Sequence, residues 1–189
     1  MKKLGIALLC LCCLLCACQS GVSEAENLQQ QYGQVRRAEM EAEITCHLEQ
    51  ENRSFTVQCV YDKDTGGVTT ITVPKEVAGI SATVSGEDLS VEWNGLSLAM
   101  GEAVEISPAN CLPWLLRAAA TGYIVDCGQE TVEQTDCLRV GLDTSGRDGK
   151  VLCTAWFDRE TLTPCYMEFS RDGRVILSAK MLSFTWEGA

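Results

Sequence analysis

From residue 38 the chain alternates apolar and polar side chains for twelve residues: Ala38, Met40, Ala42, Ile44, Cys46 and Leu48 are separated by Glu39, Glu41, Glu43, Thr45, His47 and Glu49. Side chains of a strand point to opposite faces with period two, so only a long half-buried strand can hide one set and wet the other. A second alternation follows, with Phe55, Val57, Cys59 and Tyr61 set against Thr56, Gln58 and Val60. A tight turn at Asn52-Arg53 would pair positions whose numbers sum to 105, placing Leu48 opposite Val57, Cys46 opposite Cys59 and Ile44 opposite Tyr61. A slip of one residue would turn an apolar set into water. If Cys46 and Cys59 meet at a non-hydrogen-bonded pair, their β-carbons have disulfide spacing, and the pair is either a bridge or two apposed buried thiols.

The period-two texture continues with turns at hairpin spacing. Val68 to Val73 ends at Pro74, Ile80 to Val84 and Leu89 to Trp93 flank Gly86-Glu87-Asp88, and Asn94-Gly95 leads into Leu96 to Met100. Five further strands are expected at 123–127, 131–134, 137–143, 151–158 and 165–170, and a last long one at 175–186 after Asp172-Gly173. Two segments have helical spacing instead. Ser23 and Glu26 form a capping box ahead of Leu28, Tyr32 and Val35, predicting a short helix over about 24–35. Ser107-Pro108 starts a second, with Leu112, Leu115, Leu116 and Ala119 along one side and Gly122 closing it. Long antiparallel strands with one N-terminal helix and one helix inserted mid-sheet make an α+β architecture, and no βαβ alternation offers a nucleotide site.

Ahead of all this, Lys2 and Lys3 precede fourteen uncharged residues, Leu4 to Ala17. As a helix this run would span about 21 Å, short of the ~30 Å hydrocarbon core, so it reads as a signal peptide. It ends Leu15-Cys16-Ala17-Cys18, similar to the bacterial lipobox, in which the last cysteine takes a diacylglyceryl group. An ordinary secretory signal with cysteines as apolar filler is the alternative. The expected organisation is a signal peptide at 1–17, a lipidated polar tether at 18–27 and a single domain at 28–189. That places the protein on the outer face of a bacterial cytoplasmic membrane, anchored by its lipid. Without Lys2 and Lys3 the chain has 13 basic against 26 acidic residues, which argues against a nucleic-acid partner. Seven cysteines follow Cys18, at 46, 59, 111, 127, 137, 153 and 165, none in a CxxC. An odd number leaves at least one thiol unbridged.

The C-terminal half then resembles a known family. Gly128-Gln129-Glu130-Thr131-Val132, Cys137-Leu138-Arg139-Val140, Thr154-Ala155-Trp156-Phe157-Asp158-Arg159-Glu160-Thr161-Leu162-Thr163-Pro164 and Glu168-Phe169-Ser170-Arg171-Asp172-Gly173-Arg174 resemble the closing strands of the LolA/LolB-like lipoprotein-carrier superfamily, which includes RseB-like sensors and mycobacterial lipid-binding lipoproteins of the LppX type. The Trp-hydrophobic-Asp-x-x-Thr-x-x-Pro run is its most specific part. Gln134 stands where the family's turn would have Gly. The resemblance implies a curved antiparallel sheet, an unclosed half-barrel whose concave face is covered by the helices. It also implies a hydrophobic or lipidated ligand in the space between, or an RseB-like envelope sensor or protein-interaction module with a filled core and an envelope protein partner. It supplies no catalytic residue.

The residues themselves offer little chemistry. The one histidine, His47, sits on the polar face of the first strand, across from Gln58, without Gly-x-Ser-x-Gly or His-Glu-x-x-His. Asp62 and Asp64 fit a turn better than a calcium loop, and Cys111 and Cys127 lack a histidine nearby. No enzyme, metal or cofactor is expected. A binding face in the resembling fold would draw on Trp93, Met100, Trp114, Leu115, Leu116 and Trp156, with Trp114 and Leu115 touching from the lid helix; ordinary core packing accounts for the same set equally well.

Overall fold

The computed structural model describes residues 24–102, 105–143 and 151–188. The signal segment, Cys18 and most of the tether lie outside the described residues. Eleven strands form one antiparallel sheet: β1 (Val35–His47), β2 (Asn52–Asp62), β3 (Gly66–Val73), β4 (Ser81–Ser85), β5 (Asp88–Trp93), β6 (Leu96–Glu102), β7 (Tyr123–Val132), β8 (Thr135–Asp143), β9 (Val151–Asp158), β10 (Pro164–Arg171) and β11 (Arg174–Gly188). Helix α1 covers residues 24–33, and α2 (Cys111–Thr121) lies between β6 and β7 in the chain.

The order across the sheet is β6-β5-β4-β3-β2-β1-β11-β10-β9-β8-β7. Two meanders are thus sewn together where the last strand pairs with the first. β6 and β7 are consecutive in the chain yet occupy the two edges, so α2 has to cross the sheet between them. It touches both β2 and β8, which in a flat sheet would lie about 24 Å apart, whereas a helix with its side chains is about 10–12 Å wide. The sheet therefore curves around α2 and stays unclosed, as expected. Where α2 passes β3, a β-carbon added to Gly67 would lie 2.5 Å from Pro113 Cγ. Only a residue without one lets the helix sit this deep.

The first hairpin departs from expectation. His47 faces Asn52 and the turn occupies residues 48–51, so paired numbers sum to 99. Cys46 faces Arg53 and Cys59 faces Met40. Six strand positions separate the two cysteines' levels, about 20 Å, so the expected Cys46–Cys59 bridge is excluded. The physical reason is parity. A slide by an even number keeps every side chain on its own face, and it exchanges Leu48–Val57 for Ala42–Val57 and Ile44–Tyr61 for Ile44–Phe55 while Leu48 goes to an exposed turn.

Other boundaries shift less. Val35 opens β1 rather than closing α1. Residues 107–110 form a turn, not helix: the Asn110 side chain accepts from the Ser107 backbone N–H at 2.9 Å, and α2 starts at Cys111 with Pro113 in its first turn, where a missing N–H is harmless. The two segments 123–127 and 131–134 are parts of one strand, β7. It turns into β8 through Glu133 and Gln134, both with positive φ.

α1 is held by three polar contacts, to the β9–β10 loop and to the end of α2, and by one buried apolar side chain. The Tyr32 hydroxyl donates to Leu162 O at 2.8 Å, Gln29 Nε2 donates to Gly122 O at 2.6 Å, Arg159 pairs with Glu24 at 2.8 Å, and Leu28 is fully buried. Trp114 of α2 meets Phe169 edge-on, with centroids 5.1 Å apart.

Candidate functional site

One row of paired residues crosses the concave face from the centre to the edge: Met40, Cys59, Thr69, Ala82, Val91 and Leu98. The first four are 3%, 1%, 3% and 5% exposed, and Leu98 is 62% exposed. α2 covers the start of the row and leaves its end open. Leu96 and Trp93 face each other at the tip of the β5–β6 hairpin and are exposed, and Trp93 shares the face of Val91 two residues before it. Met100, also exposed, is the extra residue where the register shifts between Ala99 and Gly101. The result is an exposed apolar strip on the rim of the half-barrel, separated from the core cluster by the buried Thr69 and Ala82. Such a strip commonly marks a binding surface.

The six expected site residues fall into four places. Leu115 and Leu116 are fully packed under α2 with Leu112, Phe157 and Phe169. Trp114 lines a groove of about 550 Å³ at the end of α2, with Arg117, Thr121 and Tyr123. Trp93 and Met100 lie on the open strip. Trp156 is misplaced in the expected set: it pairs with Arg139 and Tyr166, its indole N–H donates to Glu130 at 3.0 Å, and its ring tilts against Tyr166 at 5.4 Å. Its neighbour Phe157 points into the core, so Trp156 lies on the convex face. Leu96 and Leu98 were absent from the expected set, although their alternation after Asn94-Gly95 was the available signal.

The polar candidates do not converge. His47 faces Asn52, not Gln58, and its Nε2 lies 2.9 Å from Ser178 Oγ. Neither residue lines the groove at the end of α2. Among the described residues no group of three or more His, Cys, Asp or Glu is arranged to hold a metal ion, and no helix is long and apolar enough to cross a membrane. None of the seven described cysteines is bridged. Burial pushes the Cys59 thiol up to about 11, with a smaller opposing pull from the Thr69 hydroxyl, and burial also raises Cys111 and Cys153. These thiols act as small apolar groups. Asp62 accepts from the backbone N–H groups of Asp64 and Thr65, which hold its carboxyl below the usual range; it is a turn cap, not a calcium ligand.

The unclosed antiparallel sheet curved around α2 is the fold that the family resemblance implied. No family model matches the sequence, and no curated protein matches it. Solved structures do match. A domain described as an outer membrane lipoprotein-sorting protein from Vibrio parahaemolyticus is 10% identical, covering 89% of this chain and 93% of its own, with a TM-score of 0.53. A DUF1329 family protein from Desulfovibrio piger is 12% identical over 90% of this chain and 93% of its own, with a TM-score of 0.53. An uncharacterized conserved protein from Thermus thermophilus is 6% identical over 89% and 88%, with a TM-score of 0.54. At these identities the likeness establishes the fold.

Proposed function

We propose that this chain is a bacterial lipoprotein, anchored through Cys18 to the outer face of the cytoplasmic membrane, whose 28–189 domain binds a hydrophobic or lipidated ligand. The observation that carries the reading is the row from Met40 to Leu98, which starts in the core, passes Thr69 and Ala82 and ends in an uncovered apolar strip. An acyl chain or apolar segment laid on Trp93, Leu96 and Leu98 would cover the strip without disturbing the core. The role proposed is binding, since what the strip offers is apolar contact area.

A second reading, a protein-interaction module with no lipid ligand, is favoured by the close packing of Leu112, Leu115, Leu116, Phe157 and Phe169 beneath α2. Native mass spectrometry of the Cys18→Ala chain, purified from a bacterial host, separates the two. Co-purified fatty acid or phospholipid, reduced by Leu98→Asp, supports the ligand reading. A bare chain supports the interaction module.

A further inference from the structure

β10 and β11 part at one end. Their pairing stops at Tyr166 opposite Lys180, yet β11 runs on along β1 to Gly188, while β10 bulges at Cys165 to follow β9, with Pro164 facing Phe157. The fork is a groove of about 570 Å³ walled by Val132, Pro164, Cys165, Met181, Leu182 and Phe184, a volume within the range of small-ligand sites. On its inner side Tyr32 bridges the two arms, donating to Leu162 O and stacking on Phe184 at 6.2 Å. At its outer mouth Lys180 Nζ reaches both carboxylate oxygens of Glu133, at 2.7 and 2.8 Å, from the opposite wall. Glu43 of β1 is the pairing partner of Lys180 and adds a second negative charge there. The fork is a different place from the β5–β6 strip, on the other half of the sheet.

We propose that this fork binds one single-chain zwitterionic amphiphile, its alkyl chain along Leu182, Met181 and Pro164, its phosphodiester on Lys180 and its ammonium on Glu133. Two observations choose the occupant. The mouth offers one cation facing two carboxylates on an acidic chain, which disfavours an anionic head and suits a head carrying both charges. The exposed Lys180–Glu133 pair is of the weak kind that a ligand exchanges readily. Glu24 lies near this groove: it shares Arg159 with Asp136, the neighbour of Thr135 in the groove wall. Six Cα steps separate Cys18 from Glu24, at most about 21 Å. On the tether reading above, the mouth stands close to a bilayer that supplies such molecules; the groove and its rim do not depend on that reading.

The test uses the Cys18→Ala chain and dodecylphosphocholine below its micelle concentration, followed by titration calorimetry and by the alkylation rate of Cys165. Saturable one-to-one binding is expected, with Cys165 alkylation slowed at least tenfold at saturation and dodecanoate binding at least tenfold more weakly. Leu182→Arg, at an exposed position, should weaken dodecylphosphocholine at least tenfold, and Glu133→Lys should turn the preference toward dodecanoate. Thermal melts confirm that both variants fold, and Glu133→Lys decides the matter if Leu182→Arg does not. Unchanged Cys165 reactivity, equal affinity in the variants, or dodecanoate binding as well as the zwitterion would overturn the proposal. Binding lost in Leu98→Asp but kept in Leu182→Arg would overturn it too, while leaving the strip as the ligand site. Binding to the fork with no ligand on the strip would remove the proposed function and leave this inference standing.

Discussion

Glu133 and Gln134, at the β7–β8 turn, hold φ values of 47° and 76°, a region that side chains resist by roughly 1–2 kcal/mol. A two-residue hairpin with both central residues left-handed matches strand twist, and Gly is its usual second member. Gln134→Gly should therefore stabilise the protein by about 0.5–1 kcal/mol after the entropy of the unfolded glycine is subtracted, read as a raised denaturant midpoint; a lowered midpoint would show that the Gln134 side chain contributes more than its backbone costs. The missing Gly of the family pattern was visible in the sequence, but its tolerance was not, because a turn type depends on the strands that flank it.

The thiols make a second residue-scale case. Cys59, Cys111, Cys137 and Cys153 are buried, while Cys46, Cys127 and Cys165 are half-buried. At neutral pH the native chain should be alkylated at Cys46, Cys127 and Cys165 well before the four buried thiols, which should react only on unfolding, with Cys46 slowed by the burial that raises its thiol, as peptide mapping would read. Cys59 has its pKa raised from 9.0 to about 11, so the fold favours its neutral form. Its contribution to stability is complete below pH 9.0 and is lost as pH climbs toward about 11. Cys59→Ala should flatten that alkaline decline in melting temperature; an unchanged decline would assign it to other groups.

At the scale of elements, alternation in the first hairpin determines which side chains share a face and leaves the slide along the strands open. The choice between sums of 105 and 99 lies with the 48–51 turn and with neighbours such as β11, which no local pattern contains. The same limit hid the face of Trp156: the residue lies in a stretch, Ala155-Trp156-Phe157, that is apolar on both sides. α2 was legible from its spacing, apart from a start one turn late. Leu116 beneath it is 2% exposed in a filled core, so Leu116→Trp should cost about 1–3 kcal/mol of stability. A variant as stable as the parent would reveal room under the helix.

For the whole molecule, the unclosed sheet follows from one topological fact, that β6 and β7 stand at opposite edges with α2 strung between them. The unclosed half-barrel was legible only through the family resemblance carried by the motif around Trp156, and the twelve expected strands became eleven when 123–127 and 131–134 merged into β7; the open strip emerges only from the exposure of Trp93, Leu96 and Leu98. The anchor is tested separately: Cys18→Ala should move the protein from the detergent phase to the soluble fraction, and unchanged partitioning would contradict a lipidated Cys18. The central claim, that the strip takes a hydrophobic ligand, is tested most directly by the fluorescence of Trp93 on titrating the Cys18→Ala chain with a synthetic diacylglyceryl-cysteine peptide. Half exposed on the rim, Trp93 should shift its emission to shorter wavelength as the ligand covers it, and the shift should vanish in Trp93→Phe and in Leu98→Asp. An emission spectrum that does not move at saturating peptide, or a shift that survives both substitutions, would contradict the account.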